Sequence, residues 1–259
     1  MSRLEAKNLS KAFGGVQAID DFSFCVEERQ IVGIIGPNGA GKTTAFNLLT
    51  GVYPIDRGQV FLDGKELSGL PQYKITQQGI ARTFQNIRLF KGLSVMENVM
   101  TAADPYSAYN LADVFMYSGR KRKREKEIRE MSCNFLKLVG LAGYEEERPE
   151  NLPYGLQRKL ELARALASNP KVLLLDEPAA GLNPSEVQDF IRLIRMVHDQ
   201  FALSVLVIEH RMEVIMTLCD NIYVLNFGKL LASGTPAEIQ NNPEVTTAYI
   251  GEEDEACLQ

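Results

Sequence analysis

Glycines at 36, 39 and 41, followed at once by a lysine and two threonines, form the stretch Gly36-Pro37-Asn38-Gly39-Ala40-Gly41-Lys42-Thr43-Thr44. The spacing fits G-x-x-x-x-G-K-[ST], a loop that wraps phosphate groups. A triphosphate needs many hydrogen-bond donors together, and backbone N–H groups supply them only where the chain curls tightly. Residues without a β-carbon permit that curl. Lys42 adds a point charge for the outer phosphates, Thr43 a hydroxyl suited to Mg²⁺, and Thr44 a hydroxyl for a phosphate oxygen.

A second set of groups lies at the ends of apolar runs. Val172-Leu173-Leu174-Leu175 leads into Asp176-Glu177-Pro178, and the run from Leu203 to Ile208 leads into Glu209-His210. In open α/β sheets ligands bind at the carboxyl ends of the strands, so Asp176, Glu177 and His210 are candidates for the site rather than turn caps. Gln85 ends a shorter strand-like run, Ile80 to Phe84. Phe13, at the lip of the Phe13-Gly14-Gly15 turn, is either a core aromatic or a ring that stacks on a base.

The elements that must position these groups follow from periodicity. Ile31–Ile35 reads as a buried strand before the glycine loop, and Ala45–Leu49 as a helix after it, so that helix N–H groups and the positive dipole end face the phosphates. Residues 3–30 alternate as antiparallel strands, with Phe22, Phe24 and Val26 on one face. Val60–Leu62 precedes an Asp63-Gly64 hairpin turn. From Asn86 to about Leu152 the pattern turns helical: Ser94 to Thr101 with a Ser94/Glu97 capping box, a stretch near Tyr109 to Tyr117, and Lys123 to Val139. The charge run Arg120–Arg124 reads as a solvated face paired with Glu125, Glu127 and Glu130, ahead of contact with anionic lipid headgroups.

Gly155 to Ala167 is a helix with Leu156, Leu160, Ala163 and Ala167 on one line, and Gln157, Arg158, Glu161 and Arg164 off it. Asn183-Pro184 opens another, with Val187, Phe190, Ile191, Ile194 and Val197 as its buried stripe. A short helix, two strands and two terminal helices complete the chain, and the tail Glu252–Glu255 is expected to fray.

At 259 residues the chain can bury a sizeable core as one domain or two intimate subdomains. A net charge of −5 argues against a dedicated nucleic-acid binder. The four cysteines are far apart with no metal spacing, which suits reduced cytosolic thiols. No apolar run reaches the ~18–20 residues that span a bilayer. The chain is therefore expected to be soluble, with any membrane partner a separate subunit.

Taken together, these motifs resemble those of the nucleotide-binding subunits of ATP-binding cassette (ABC) transporters, over nearly the whole length. Gly36–Thr44 is similar to Walker A, Val172–Glu177 to Walker B with its catalytic glutamate, Gln85 to the Q-loop and His210 to the switch histidine. Gly181-Leu182-Asn183 resembles the D-loop, with Asn183 where Asp is commoner. Asn151-Leu152-Pro153-Tyr154-Gly155-Leu156-Gln157-Arg158 occupies the signature position, but departs from Leu-Ser-Gly-Gly-Gln: Pro153 removes a hydroxyl and an N–H, and Leu156 replaces the Gln. Gly155 remains at the helix start, so weaker but surviving contact with a phosphate is expected. Three stretches (13–18, 82–90 and 176–184) are similar to the ATPases of branched-chain amino-acid importers. Lipopolysaccharide-export ATPases are the alternative within the family, and a soluble P-loop ATPase or kinase is the alternative outside it.

The resemblance implies an α/β fold: a P-loop NTPase (RecA-like) core in 1–85 and 166–259 with an N-terminal antiparallel β subdomain, and an inserted α-helical subdomain in 86–165 carrying the signature motif. It also implies ATP and Mg²⁺ as ligands, with Thr43, Gln85 and Asp176 around the metal, Glu177 as general base, His210 at the γ-phosphate, Phe13 on adenine, and Gly155 over a second copy's nucleotide. The partners it implies are integral-membrane permeases touching residues 86–100, a second ATPase subunit and, indirectly, a periplasmic substrate-binding protein, with no nucleic acid. The place it implies is the cytoplasmic face of the plasma membrane.

Overall fold

Three pentapeptides, Ile31–Ile35 (β3), Val172–Asp176 (β7) and Ser204–Ile208 (β8), are buried at every position. Such runs do not alternate because both faces of the strand are covered, as in a parallel sheet. A computed structural model describes residues 2–103 and 119–256 and bears this out. The three strands pair in parallel, with Gly33 opposite Val207 and Asp176 opposite Ile208. Ile80–Arg82 (β6) adds in parallel beyond β7, Asn221–Asn226 (β9) in parallel beyond β3, and Lys229–Gly234 (β10) antiparallel at the edge. The order is β10-β9-β3-β8-β7-β6.

The chain divides into two compact units, 1–85 with 171–259, and 86–170. The first holds the six-stranded sheet and an antiparallel one of order β2-β1-β4-β5, built from Ser2–Phe13 (β1), Val16–Glu27 (β2), Arg57–Leu62 (β4) and Lys65–Glu66 (β5). Phe22, Phe24 and Val26 face inward from β2 and meet Phe46, Leu48 and Leu49 of helix α1 (Lys42–Leu49) in one core cluster. Helix α2 (Gln72–Gln78) stops at Gly79.

Helix α6 (Pro184–Phe201) starts where expected, and the reason is a capping box: the Asn183 side chain accepts from Glu186 N at 3.0 Å, and the Glu186 carboxylate accepts from Asn183 N at 2.9 Å. Val187, Phe190, Ile191, Ile194 and Val197 are buried beneath it. Helices α7 (Met212–Leu218), α8 (Pro236–Gln240) and α9 (Pro243–Ala256) follow, and α9 runs through the acidic tail, where the sequence predicts fraying. Cys219 is buried against β3, its Sγ 3.0 Å from where a Cβ on Gly33 would stand, and burial pushes its thiol up.

The second unit holds α3 (Val95–Ala103), α4 (Gly119–Leu138), a 3₁₀ turn at Pro149–Asn151 and α5 (Tyr154–Ala167). The Ser94/Glu97 box closes α3, with Ser94 N donating to Glu97 at 2.7 Å and Glu97 N to Ser94 at 3.2 Å. The helix anticipated near Tyr109 to Tyr117 lies outside the described residues, as does Cys257.

Helix α5 corrects one expectation. Arg158 and Glu161, placed off the apolar line, are both 2% exposed. They bury as a pair 3.5 Å apart, and Arg158 also donates to the Tyr154 hydroxyl at 2.8 Å. Charged groups enter an interior only with such partners.

Leu206 is fully buried in β8, between Val32 and Leu174. Leu206→Ala should destabilise the protein by about 2–5 kcal/mol, read from the shift in its chemical-denaturation midpoint.

Candidate functional site

Parallel strands end on the same edge of a sheet, and four of the candidate segments lie on one such edge. The glycine loop leaves β3, Glu209-His210 leaves β8, Asp176-Glu177 leaves β7 and Gln85 follows β6.

Backbone geometry explains the loop. Gly36 sits at φ 150°, and a Cβ there would come within 2.1 Å of Leu225 O. Gly41, at φ 103°, caps α1 with its new Cβ 2.5 Å from Ala18 O. Neither position has room for a side chain. Gly39 differs: it has positive φ, 76°, but open space around it. Helix α1 has no side-chain cap and no acidic residue in its first turn, so its leading N–H groups face an anion without competition. Lys42 is buried, its ammonium donating to Gly36 O at 2.5 Å and Pro37 O at 2.7 Å. Thr43, Asn38 and Gly39 are exposed, Thr44 is half-buried, and Ala40 anchors the loop by accepting from Gly228 N at 3.0 Å.

Three candidates meet at one carboxylate oxygen. Glu177 Oε2 accepts from Gln85 Nε2 at 2.8 Å and lies 3.6 Å from His210 Nδ1. Glu177 is held there by the neighbouring strand: its N–H donates to Ile208 O at 2.9 Å, against the cost of a φ of 45°, unusual for a residue with a side chain. His210 is half-exposed. The trio can orient a water and take its proton.

Asp176 is buried and paired. Its Oδ2 accepts from Arg82 at 2.7 Å, and the same guanidinium reaches Asn47 at 2.8 Å and Thr50 at 3.2 Å at the far end of α1. It also lies over the rings of Phe46 and Phe84, 5.5 and 5.1 Å from their centroids. Sequence reasoning does not single out Arg82. The available signal is only an arginine within the strand-like run from Ile80 to Phe84.

Glu209 is likewise missed by a sequence reading that favours its neighbour. It is fully buried, and its carboxylate takes three backbone N–H groups: Ala179 at 2.9 Å, His210 at 2.9 Å and Arg211 at 3.2 Å.

Of the two readings of Phe13, the core one is set aside. The ring is 41% exposed, lies edge-on to Tyr53 at 5.0 Å, and has the Lys11 ammonium 5.3 Å above it. In the second unit, Pro153 caps α5 without a side-chain bond, so the helix begins at Tyr154, and Gly155 sits half-exposed in its first turn. The residues expected to meet a permease divide: Phe90 is 54% exposed, whereas Val95 is buried.

Comparison with known proteins supplies the context. The family model described as ABC transporter matches residues 19–180, and one described as Branched-chain amino acid ATP-binding cassette transporter matches 229–255. The chain is 44% identical to the high-affinity branched-chain amino acid transport ATP-binding protein BraF of Pseudomonas aeruginosa, covering 97% of this chain and 100% of that one. It is 42% identical to LivG of Salmonella typhimurium, which bears the same description, over 96% and 98% of the two chains. The lipopolysaccharide export system ATP-binding protein LptB of Haemophilus influenzae is 34% identical over 98% and 99%. Among solved structures, MJ1267, an ATP-binding cassette of an ABC transporter in its ADP conformation, superposes with a TM-score of 0.84 at 30% identity, over 97% and 99%.

The glycine geometry yields a contrast. Gly36→Ala should weaken ATP binding by more than ~100-fold, because the loop must shift off Leu225 O, whereas Gly39→Ala should cost at most the ~1–2 kcal/mol of a side chain at positive φ, about 5–30-fold. Calorimetric titration of the two variants checks the order.

Proposed function

The chain belongs to the ABC transporter family as an ATP-binding subunit that hydrolyses ATP, and from that premise we propose that it powers uptake of branched-chain amino acids through separate membrane permeases. Two comparisons support that cargo: the branched-chain amino acid transporter match over residues 229–255, and the higher identity to branched-chain amino acid transport proteins than to the lipopolysaccharide export protein. Among the described residues no helix is long and apolar enough to cross a membrane. The chain would then lie against the cytoplasmic face of those permeases, which would take cargo from a periplasmic binding protein. The exposed Phe90 is a candidate contact for the permease.

The observation that carries the catalytic reading is the meeting of Gln85, Glu177 and His210 at one oxygen. ATP would lie with its triphosphate along residues 36–44, its base against the exposed face of Phe13, and its outer phosphates beside Lys42. Lys42 would exchange its bonds to two loop carbonyls for phosphate oxygens. Glu177 then serves as the general base for the attacking water, and His210 holds the terminal phosphoryl in line.

Thr43, Asp176 and Gln85 offer a hydroxyl, a carboxylate and an amide oxygen. This all-oxygen set fits Mg²⁺, which relies on few protein ligands beside phosphates and water. When bound, the ion would neutralise charge on the phosphates. Arg82 keeps the Asp176 carboxylate aimed for that purpose.

Two copies are needed, since Gly155 and the first turn of α5 act on the nucleotide of a second chain. The departures at Pro153 and Leu156 leave that contact to backbone N–H groups and the helix dipole.

Glu177→Gln should keep ATP affinity within ~2-fold of the parent, lower hydrolysis by more than ~100-fold, and accumulate as an ATP-bound dimer on sizing columns. Normal turnover would remove Glu177 from its role.

A further inference from the structure

We propose that Glu209 is a positioning residue for hydrolysis: its carboxylate pins the exits of β7 and β8 together and so fixes His210 opposite Glu177. The inference rests on the catalytic reading of those two residues.

The two strands run in parallel, with Asp176 opposite Ile208. One residue beyond each, the chains carry Glu177 and Glu209 and then diverge. Backbone pairing ends with the bond from Glu177 N to Ile208 O. Beyond that point, Glu209 takes over. One oxygen accepts from Ala179 N, two residues past Glu177, and the other accepts from His210 N and Arg211 N. The His210 backbone is therefore fixed at the root of its ring, and the Glu177 turn is fixed at its far side. Arg211 extends the link, donating to Leu182 O at 3.4 Å.

The carboxylate is fully buried and all three of its bonds are to backbone N–H groups, so it spans two loops without choosing between side chains. Charge-assisted bonds of this kind are short and directional. An amide in its place has one acceptor oxygen and would present N–H to N–H on one of the two loops. His210 would then lose its register with Glu177, while the phosphate loop on β3 would be left in place.

The test is hydrolysis and ATP binding by the full chain carrying Glu209→Gln, made both alone and with His210→Ala. The positioning role predicts a kcat at least ~10-fold below the parent, with KM for ATP and direct ATP affinity within ~2-fold. In the His210→Ala background the same change should cost less than ~2-fold, because the group it positions is gone. Glu209→Asp keeps the anion for His210 and Arg211 but falls short of Ala179, and should give an intermediate loss with the same dependence on His210. An unchanged kcat, a KM that rises in step, or an equal loss in both backgrounds overturns the proposal. So does failure of both Glu209 variants to fold, since the carboxylate would then serve the fold alone. Glu177→Gln measured alongside separates the two readings. If it turns over normally, the catalytic assignment fails; if it is inactive while Glu209→Gln runs at full rate, only the positioning role fails.

Discussion

Parallel pairing of β3, β8, β7 and β6 brings together residues as far apart in the chain as Gly36 and His210. Each strand contributes a single short exit, and the register between neighbours decides how far one exit stands from the next. Because β3, β7 and β8 are buried on both faces, a slip in register would carry their hydrophobic packing with it. The core and the site are in this sense held by the same contacts.

Charges inside that edge show what the arrangement costs. Removing an ion from water carries a penalty of several kcal/mol even when a partner awaits it. Asp176 meets it with the Arg82 guanidinium and Glu209 with three backbone N–H groups. Glu177 and His210 are more exposed, as groups that must engage a substrate require. The site thus has a buried inner row and a more exposed outer one. Arg82, which reaches the far end of α1 as well as Asp176, ties the phosphate-loop helix to the inner row.

Local features of the site are legible in the sequence. The glycine loop announces itself by spacing, and the structure gives the reason at Gly36 and Gly41, where backbone oxygens leave no room for a Cβ. The buried strands are readable from unbroken apolar runs, and Asn183 from the capping chemistry that makes Asn as useful there as Asp. What depends on a neighbouring strand is not readable. Nothing around Arg82 names Asp176 as its partner, and nothing around Glu209 names Ala179, because both pairings arise only when strands align. Arg158 and Glu161 mislead for a related reason: helical periodicity places polar residues off the apolar line, yet here both are buried beside one another as an ion pair. Phe13 can be decided only once its surroundings are known.

The most direct measurement is a crystal structure of the Glu177→Gln variant with Mg²⁺ and ATP. The account predicts a triphosphate lying along the backbone N–H groups of residues 36–44, its terminal phosphoryl beside His210, and the Gly155 helix of a second copy closing over it. A nucleotide bound elsewhere, or a terminal phosphoryl remote from His210 and from any second copy, would contradict it.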